Sequence, residues 1–167
     1  EVVSLEKNAD GNFKMVTDGG EEFEAKSVIL ATGVKSRPLG VDREEELTGM
    51  GVSYCATCDG AFFRGKNVAI MGGGNTALED AEYMATIANK VYLVHRRDKF
   101  RGDRVTVDRL SKKDNVEFIL NSVPKALKGS PKLDALVIEN TQSGELRELE
   151  VQGVFVAYGQ IAQNAVF

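Results

Sequence analysis

The sequence has 167 residues, of which 43% are hydrophobic and 28% charged, and its formal net charge at pH 7 is −4. These values are ordinary for a globular protein, and the acidic balance argues against nucleic acid as the main partner. No apolar run reaches the length of about 18 residues that a membrane span needs, and no signal peptide is recognisable, so we expect a cytoplasmic protein without a membrane segment. The first residue is not Met, which fits a fragment or a processed chain.

The N-terminal region predicts a β-meander that leads into a buried strand. Three strand-type segments are separated by short turns: residues 1–7, 13–17 and 22–25. The next run, Ser27 to Gly33, is apolar and predicts a buried strand. It ends in Ala31-Thr32-Gly33, small residues that allow a ligand or another backbone to come near.

A change of composition follows this run. Pro38 and the charged residues 42–46 predict a linker or a surface turn. We place a domain boundary between Gly33 and Gly40.

The only two cysteines, Cys55 and Cys58, are spaced C-x-x-C. A zinc site would need two further ligands, and the single histidine, His95, does not complete it alone. A purely structural disulfide would gain little, because the loop it closes is very short. The spacing therefore favours a redox-active pair in a cytosolic chain. The next residue, Asp59, is either an acid or base that moves a proton to or from a sulfur, or simply a turn residue before Gly60.

The segment after the cysteines predicts a strand, a glycine-rich turn and a helix. The apolar strand Asn67–Met71 precedes Gly72-Gly73-Gly74-Asn75-Thr76-Ala77, a G-x-G-x-x-A pattern. Gly72 permits the tight turn, Gly74 lets the backbone approach a pyrophosphate, and Ala77 keeps helix and strand close. The inner face of the helix consists of small or flexible residues: Ala77, Ala81, Met84, Ala85 and Ala88.

The end of the second predicted strand, 91–94, indicates which dinucleotide is bound. His95 stands 23 residues after Gly72, close to the position where an NAD site carries an acidic residue. Here the chain has His95-Arg96-Arg97, with Arg101 four residues further on. Guanidinium groups suit a 2′-phosphate, so this cluster predicts NADP rather than NAD. The alternative is a solvated basic face.

The rest of the chain continues an α/β pattern. We predict a helix over 103–113, a third strand over 116–120, a hairpin formed by 135–141 and 145–151, and a buried strand over 153–159. The last strand ends in Ala157-Tyr158-Gly159, as the first apolar strand ends in Ala-x-Gly. Two weakly similar halves thus suggest two nucleotide-binding domains of common design, one of them present only in part.

Hydride chemistry and disulfide chemistry need an intermediary, because nicotinamide delivers two electrons at once as hydride while a disulfide accepts them through sulfur. A flavin usually stands between the two. The only G-x-G-x-x-G/A pattern with the right context is at Gly72, so the chain carries no complete flavin fingerprint.

Three motifs, in this order and spacing, closely resemble those of the low-molecular-weight bacterial-type thioredoxin reductases: Cys55-Ala-Thr-Cys-Asp-Gly60, Gly72-Gly-Gly-Asn-Thr-Ala77 and His95-Arg-Arg-Asp98 with Arg101. The resemblance extends over essentially the whole chain. It implies an α/β, Rossmann-like fold of the three-layer FAD/NAD(P)-binding type, with a parallel sheet and a β-meander. It also implies an FAD domain interrupted by an inserted NADPH domain that carries the C-x-x-C pair.

On that pattern, residues 1–37 are the rear of the first FAD segment, with Ala31-Thr32-Gly33 as its closing motif and Thr32 and Gly33 as implied cofactor-binding residues that contact the flavin. Residues 38–159 are the complete NADPH domain, and residues 160–167 are the return linker. The resemblance implies that the NADPH domain swings about its linkers, so that nicotinamide and cysteines reach the flavin alternately.

Carried over residue by residue, Cys58 resembles the sulfur that lies against the flavin, and Cys55 its disulfide partner nearer the domain surface. Asp59 resembles the proton donor. His95, Arg96, Arg97 and Arg101 resemble the 2′-phosphate clamp, and Gly72, Gly74, Asn75, Thr76 and Ala77 the cofactor-binding turn. The implied cofactors are NADPH and FAD, and the implied partners are thioredoxin or a thioredoxin-like protein and, at full length, a second copy of the chain.

The sequence also departs from the family. Residues 160–164 lack the proline and histidine that are usual there, and the N-terminal FAD fingerprint is absent. We therefore expect the chain alone not to turn over NADPH with thioredoxin. Two other functions remain open: the flavoprotein subunit of an alkyl hydroperoxide reductase, and a non-catalytic NADP-binding module.

Overall fold

The structure is a computed structural model that describes residues 1–165, and it confirms the mixed α/β class. The chain forms two compact units. The first contains residues 1–35 and the segment from 160 onward, and the second contains residues 36–159. No helix among the described residues is long and apolar enough to cross a membrane.

The first unit begins with the predicted meander. Strands β1 (Val2–Lys7), β2 (Phe13–Thr17) and β3 (Glu22–Ala25) pair antiparallel in the order β1-β2-β3. The prediction of a buried strand over 27–33 is wrong for this structure. No strand forms there, and the side chain of Ile29 is 93% exposed. The physical reason is that none of the described strands pairs with this run. The short β4 (Val34–Ser36) follows it.

The charged segment 42–46 also differs from the prediction of a linker or surface turn. It leads into the single-turn helix α1 (Glu44–Leu47), in which Glu44 and Leu47 are both buried. Leu47 is completely buried in one of the two cores. An acidic run thus contributes both an apolar anchor and a buried carboxylate.

The second unit is built on a five-stranded parallel sheet. Its members in chain order are β5 (Val52–Ser53), β6 (Asn67–Met71), β7 (Lys90–Val94), β8 (Val116–Ile119) and β12 (Gly153–Val156). Their spatial order is β5-β12-β6-β7-β8. All neighbouring pairs are parallel, so all five strands end at the same edge of the sheet. The predicted strands over 67–71, 91–94, 116–120 and 153–159 are confirmed to within a few residues.

Helices cover one face of this sheet. A helical turn α2 (Ala56–Asp59), continued by a 3₁₀ turn over Gly60–Phe63, follows β5. Helices α3 (Asn75–Met84) and α4 (Arg104–Leu110) follow β6 and β7, as predicted. The inner face of α3 packs on the sheet, where Ala77, Ala81 and Met84 are completely buried. The two alanines are small and allow the helix to lie close to the sheet. This helical layer and the central strands share one hydrophobic core.

A second meander covers the other face. Strands β9 (Ser122–Lys128), β10 (Ala135–Asn140) and β11 (Leu146–Glu150) pair antiparallel in the order β11-β10-β9. The predicted hairpin is confirmed as β10 and β11, whereas β9 was not predicted. Leu136 and Leu149 of this layer share a second core with Val154 and Val156 of β12. The unit therefore has the three layers that the resemblance implied: helices, parallel sheet and meander.

A last strand, β13 (Gln160–Ala162), pairs with β4.

Candidate functional site

Cys55 caps the start of the helical turn α2 that follows β5, and Cys58 lies within that turn. Cys55 precedes α2, and its sulfur accepts a hydrogen bond from the backbone N–H of Cys58 at 3.2 Å. The two sulfurs form a disulfide, with 5.3 Å between the Cα atoms. Within residues 1–165, no group of three or more His, Cys, Asp or Glu side chains is arranged to hold a metal ion.

The two cysteines differ in exposure. Cys58 is exposed, whereas Cys55 is half-buried and caps the start of α2 through its sulfur. The assignment of Cys58 to the sulfur beside the flavin, and of Cys55 to its partner nearer the domain surface, stays a prediction.

Asp59 ends the same turn beside the buried Ser53. The hydroxyl of Ser53 donates a hydrogen bond to Asp59 Oδ2 at 2.7 Å and accepts one from the backbone N–H of Cys55 at 3.1 Å. One hydroxyl therefore fixes both the carboxylate and the start of the cysteine turn. A carboxylate held in one orientation, on the residue directly after Cys58, is suited to proton transfer with a thiol.

Tyr54, the residue before Cys55, is tied to the start of the second unit through a buried carboxylate. Glu44 accepts the backbone N–H groups of Leu39 at 2.5 Å and Gly40 at 2.8 Å. The hydroxyl of Tyr54 donates to the same carboxylate. Burial and the adjacent negative charge raise the pKa of Tyr54, so its hydroxyl stays protonated and donating at physiological pH.

The glycine-rich turn after β6 is crowded on one side and open on the other. A Cβ atom at Gly72, whose φ is +154°, would lie 2.6 Å from the carbonyl oxygen of Ala157. A Cβ at Gly73 would lie 2.4 Å from the ring of His95. At Gly74 a Cβ would meet nothing within 4 Å. The backbone is therefore accessible at Gly74, where a pyrophosphate needs room.

The first turn of α3 contains the remaining residues of the predicted phosphate site. Asn75 and Thr76 are exposed, and Ala77 is completely buried against Gly72. The N–H groups in the first turn of a helix have no partner within the helix, and the helix dipole favours an anion there. This end of α3 is thus suited to a phosphate.

Three exposed arginines lie beyond the end of β7. Arg96, Arg97 and Arg101 form no ion pair with any carboxylate of the described chain. The backbone N–H of Arg101 donates to the carbonyl oxygen of Gly73 at 2.7 Å, so this arginine belongs to the loop that touches the glycine turn. Guanidinium groups without acidic partners beside a phosphate-type turn suit a further phosphate.

His95 differs from these arginines because it is only 6% exposed. Its ring packs on Gly73 and stacks on Phe100, with 5.6 Å between ring centroids. Burial lowers the pKa of His95, and the positive charges of Arg101 and Arg97 lower it further, so the ring is neutral at pH 7. The neutral His95 ring therefore packs against Gly73 and supports the glycine turn.

Thr32 and Gly33, the predicted flavin-contacting residues, belong to the first unit. Both are exposed, and Gly33 has a φ of +74°. The carbonyl oxygen of Gly33 accepts the backbone N–H of Gln163 at 3.1 Å. Of the predicted return linker, Gln160–Ala162 forms β13, and residues 166 and 167 lie outside the described part of the chain.

Several residues of the site were not found by sequence reasoning. Ser53, Glu44 and Tyr54 act through hydrogen bonds to residues five to ten positions away in sequence. The run Ser53-Tyr54-Cys55 offered one signal, since two hydroxyl residues directly precede the redox pair. Gly73, which falls on a variable position of the pattern, has no space for a side chain because His95 lies against it.

Comparison with known proteins agrees with this arrangement. The sequence profile of the pyridine nucleotide-disulphide oxidoreductase family matches residues 1–167. A thioredoxin reductase from Helicobacter pylori is 45% identical over 156 residues, which are 93% of this chain and 50% of that protein. A bifunctional thioredoxin reductase/thioredoxin from Mycobacterium leprae is 45% identical over 152 residues, or 91% of this chain and 33% of that protein.

A solved structure gives the same result. The thioredoxin reductase of Lactococcus lactis superposes with a TM-score of 0.82 at 39% identity, covering 96% of this chain and 52% of that one. This chain therefore spans about half the length of the thioredoxin reductases it matches in these two comparisons. The resemblance predicted from the three motifs is confirmed.

Proposed function

This chain belongs to the pyridine nucleotide-disulphide oxidoreductase family, and on that premise we propose that it is the NADPH-binding and disulfide-bearing part of a thioredoxin reductase. The whole enzyme passes reducing equivalents from NADPH through FAD to the Cys55–Cys58 disulfide and on to thioredoxin. The observation that carries the proposal is that a redox-type disulfide and a phosphate-type glycine turn follow β5 and β6, the two strands that flank β12, at one edge of a single sheet.

The second unit supplies the NADPH site in this proposal. The open backbone at Gly74 and the backbone N–H groups of the first turn of α3, at Asn75 and Thr76, hold the pyrophosphate. Gly72 and Ala77 keep the turn close to the sheet. Arg96, Arg97 and Arg101 hold the 2′-phosphate. His95, assigned to the same clamp from the sequence, contributes by supporting Gly73, because its ring is buried and neutral.

The domain assignment follows the resemblance. Residues 38–159 are the NADPH domain, residues 1–37 are the rear of the first FAD segment, and residues 160–167 return the chain to the FAD domain. We propose that Thr32 and Gly33 contact FAD in the full-length protein. The fragment itself holds no complete FAD site, because its only glycine fingerprint is the one at Gly72.

NADPH and FAD, when bound, supply the two electrons that open the disulfide. The residues of this chain then perform the exchange. One thiolate of the reduced pair attacks the disulfide of thioredoxin and forms a mixed disulfide, and one sulfur of thioredoxin leaves as a thiolate. The other cysteine displaces the second sulfur, so Cys55–Cys58 forms again and thioredoxin leaves reduced. Asp59, oriented by Ser53, exchanges a proton with the thiol beside it.

The surface beside the cysteines is suited to a protein partner. Phe62, four residues after Cys58, has a side chain that is 75% exposed. Aromatic side chains are enriched in protein–protein interfaces, so an exposed Phe62 close in sequence to the cysteines offers a contact for a protein partner. We propose thioredoxin or a thioredoxin-like protein as that partner, a homodimer at full length, and the cytoplasm as the location.

Two alternatives can be separated from this proposal. The flavoprotein subunit of an alkyl hydroperoxide reductase shares the core but carries extra N-terminal domains, so the length of the parent chain distinguishes it. A non-catalytic NADP-binding module would bind cofactor without disulfide turnover in any parent protein. Absorption spectroscopy of the purified chain tests flavin retention, and we expect no flavin band.

The decisive experiment is a titration of the 167-residue chain with NADPH and with NADH. We expect NADPH to bind more tightly by at least about tenfold, roughly 1.4 kcal/mol. The double variant R96A/R97A should lose this preference, because both cofactors share every group except the 2′-phosphate.

K112A/K113A is the matched control, since it removes two positive charges from a different surface of the chain. It should retain the preference. Equal affinity of the unmodified chain for the two cofactors would reject the proposal.

A further inference from the structure

The loop that carries Arg101 is fastened to the glycine turn by three hydrogen bonds. The backbone N–H groups of Arg101 and Gly102 both donate to the carbonyl oxygen of Gly73, at 2.7 and 3.1 Å. The backbone N–H of Asp103 donates to Asn75 Oδ1 at 2.8 Å. Two of these bonds join backbone to backbone, so Asn75 provides the only side chain in the fastening.

The loop also lies in close contact with the first turn of α3. A Cβ at Gly102 would be 2.5 Å from Leu78 Cδ1 and 2.8 Å from Asn75 Oδ1, so a side chain there would have to displace Leu78 or Asn75. The next residue, Asp103, is the N-cap of α4, and its Oδ2 accepts the backbone N–H of Thr106 at 2.9 Å. The connection therefore runs without interruption from the start of α3 to the start of α4.

This connection determines where the Arg101 side chain begins. Arg101 is exposed and pairs with no carboxylate of the described residues, so nothing but its own backbone positions it. A long unpaired side chain loses much conformational freedom when it binds, and a fixed backbone reduces that loss. The three hydrogen bonds thus set where the Arg101 backbone lies relative to the glycine turn.

We propose that Asn75 is a specificity-determining positioning residue, which holds the Arg101 loop against the glycine turn so that the 2′-phosphate is recognised. This inference rests on the proposed NADPH site. It differs from the simpler role in which Asn75 touches the pyrophosphate directly. The two roles are separable, because NADPH and NADH carry the same pyrophosphate and differ only in the 2′-phosphate.

The test compares dissociation constants of both cofactors for N75A, R101A and the double variant N75A/R101A. We expect N75A to weaken NADPH by about tenfold and to change NADH by less than about twofold. R101A should do the same. The double variant should be no weaker than R101A alone, because residues that act through one another are not additive.

A second variant tests the loop without altering Asn75. G102A places a methyl group against Leu78 and Asn75 Oδ1, and it should give the same selective loss of NADPH binding. E79Q, an exposed position further along α3, is the control and should bind both cofactors as the unmodified chain does. Circular dichroism and thermal unfolding of each variant confirm the fold, and if N75A fails to fold, G102A decides the question.

The outcomes distinguish the two proposals. An equal loss of NADPH and NADH affinity in N75A would identify a direct pyrophosphate ligand and overturn the positioning role, while the proposed function would stand. Unchanged NADPH affinity in N75A, or additive losses in the double variant, would also overturn it. If the unmodified chain shows no preference for NADPH, the proposed function fails, and this inference fails with it.

Discussion

Two segments of the chain have almost the same sequence pattern, but one forms a buried strand and the other forms no strand. Residues 27–33 and 153–159 each follow a three-stranded meander, contain a run of apolar residues and end in Ala-x-Gly. The second forms β12, which lies between β5 and β6 and is buried throughout. The first forms no strand, and Ile29, which corresponds in order to Phe155, is 93% exposed while Phe155 is 1% exposed.

The difference shows that an apolar run becomes a strand only where partners accept its backbone groups. β12 has a parallel neighbour on each side, so its N–H and C=O groups are paired and its side chains enter two cores. Residues 27–33 have no neighbouring strand among those described. The intrinsic preference of the two runs is the same, and their surroundings differ.

The largest expected effect compares the two corresponding large side chains. F155A should lower the free energy of unfolding of the second unit by about 3–5 kcal/mol, because it empties a site shared with Phe63 and the helical core. I29A should change stability by less than about 0.5 kcal/mol, since its side chain is in water. Urea unfolding followed by circular dichroism measures both. Comparable losses in the two variants would show that residues 27–33 are packed in solution.

An intermediate effect is expected at two glycines, Gly72 directly after β6 and Gly33 at the end of the 27–33 run. Both Gly72 and Gly33 have positive φ, but a Cβ would clash with the Ala157 carbonyl at Gly72 and would meet nothing within 4 Å at Gly33. G72A should therefore cost about 2 kcal/mol or more, from backbone strain and displacement of the turn. G33A should cost about 1 kcal/mol, from its positive φ alone. Thermal unfolding of the two variants compares these costs, and an equal shift would contradict the role of crowding.

The smallest expected effect concerns helix α3. This helix packs on the five-stranded sheet that contains β12, whereas no helix packs on residues 27–33 in the described chain. Burial and the neighbouring Glu79 raise the pKa of Asp80 to about 6. A carboxyl group whose pKa is higher in the folded state than in the unfolded state costs stability as pH rises from about 4 through 6, and the full cost remains above that range. Because Asp80 is only half-buried, D80N should gain about 1 kcal/mol at pH 7 and nothing near pH 4.

Urea unfolding of D80N at the two pH values checks this sign. D108N, on the exposed face of α4, is the control and should show no pH-dependent gain. A gain for D80N that is the same at both pH values would mean that the carboxyl group is not the cause.

The sequence was sufficient for most of the second unit because periodicity and motif agree there. The apolar runs of β6, β7 and β12 are short and continuous, as strands buried on both faces require, and the glycine pattern follows β6 in the predicted context. β9 was missed because Pro124 lies within it. The strand accommodates this proline with a shift of register against β10, which local pattern does not reveal.

The parts that sequence reasoning missed depend on side-chain contacts that residue spacing does not reveal. Glu44 lies in an acidic run that is typical of a surface, and it is buried because three donors, from Leu39, Gly40 and Tyr54, satisfy its carboxylate. His95 was grouped with its charged neighbours, although the missing side chain of Gly73 leaves room for its ring. Neither arrangement has a signature in spacing, because each is created by the tertiary fold.

The position of β12 also constrains the order in which this protein can mature on the ribosome. β5, which leads to the cysteines, and β6, which leads to the glycine turn, share no hydrogen bonds, and β12 fills the gap between them. Both segments are synthesised long before β12 emerges. The final placement of the cysteine turn beside the glycine turn must therefore wait for one of the last strands of the unit to be synthesised.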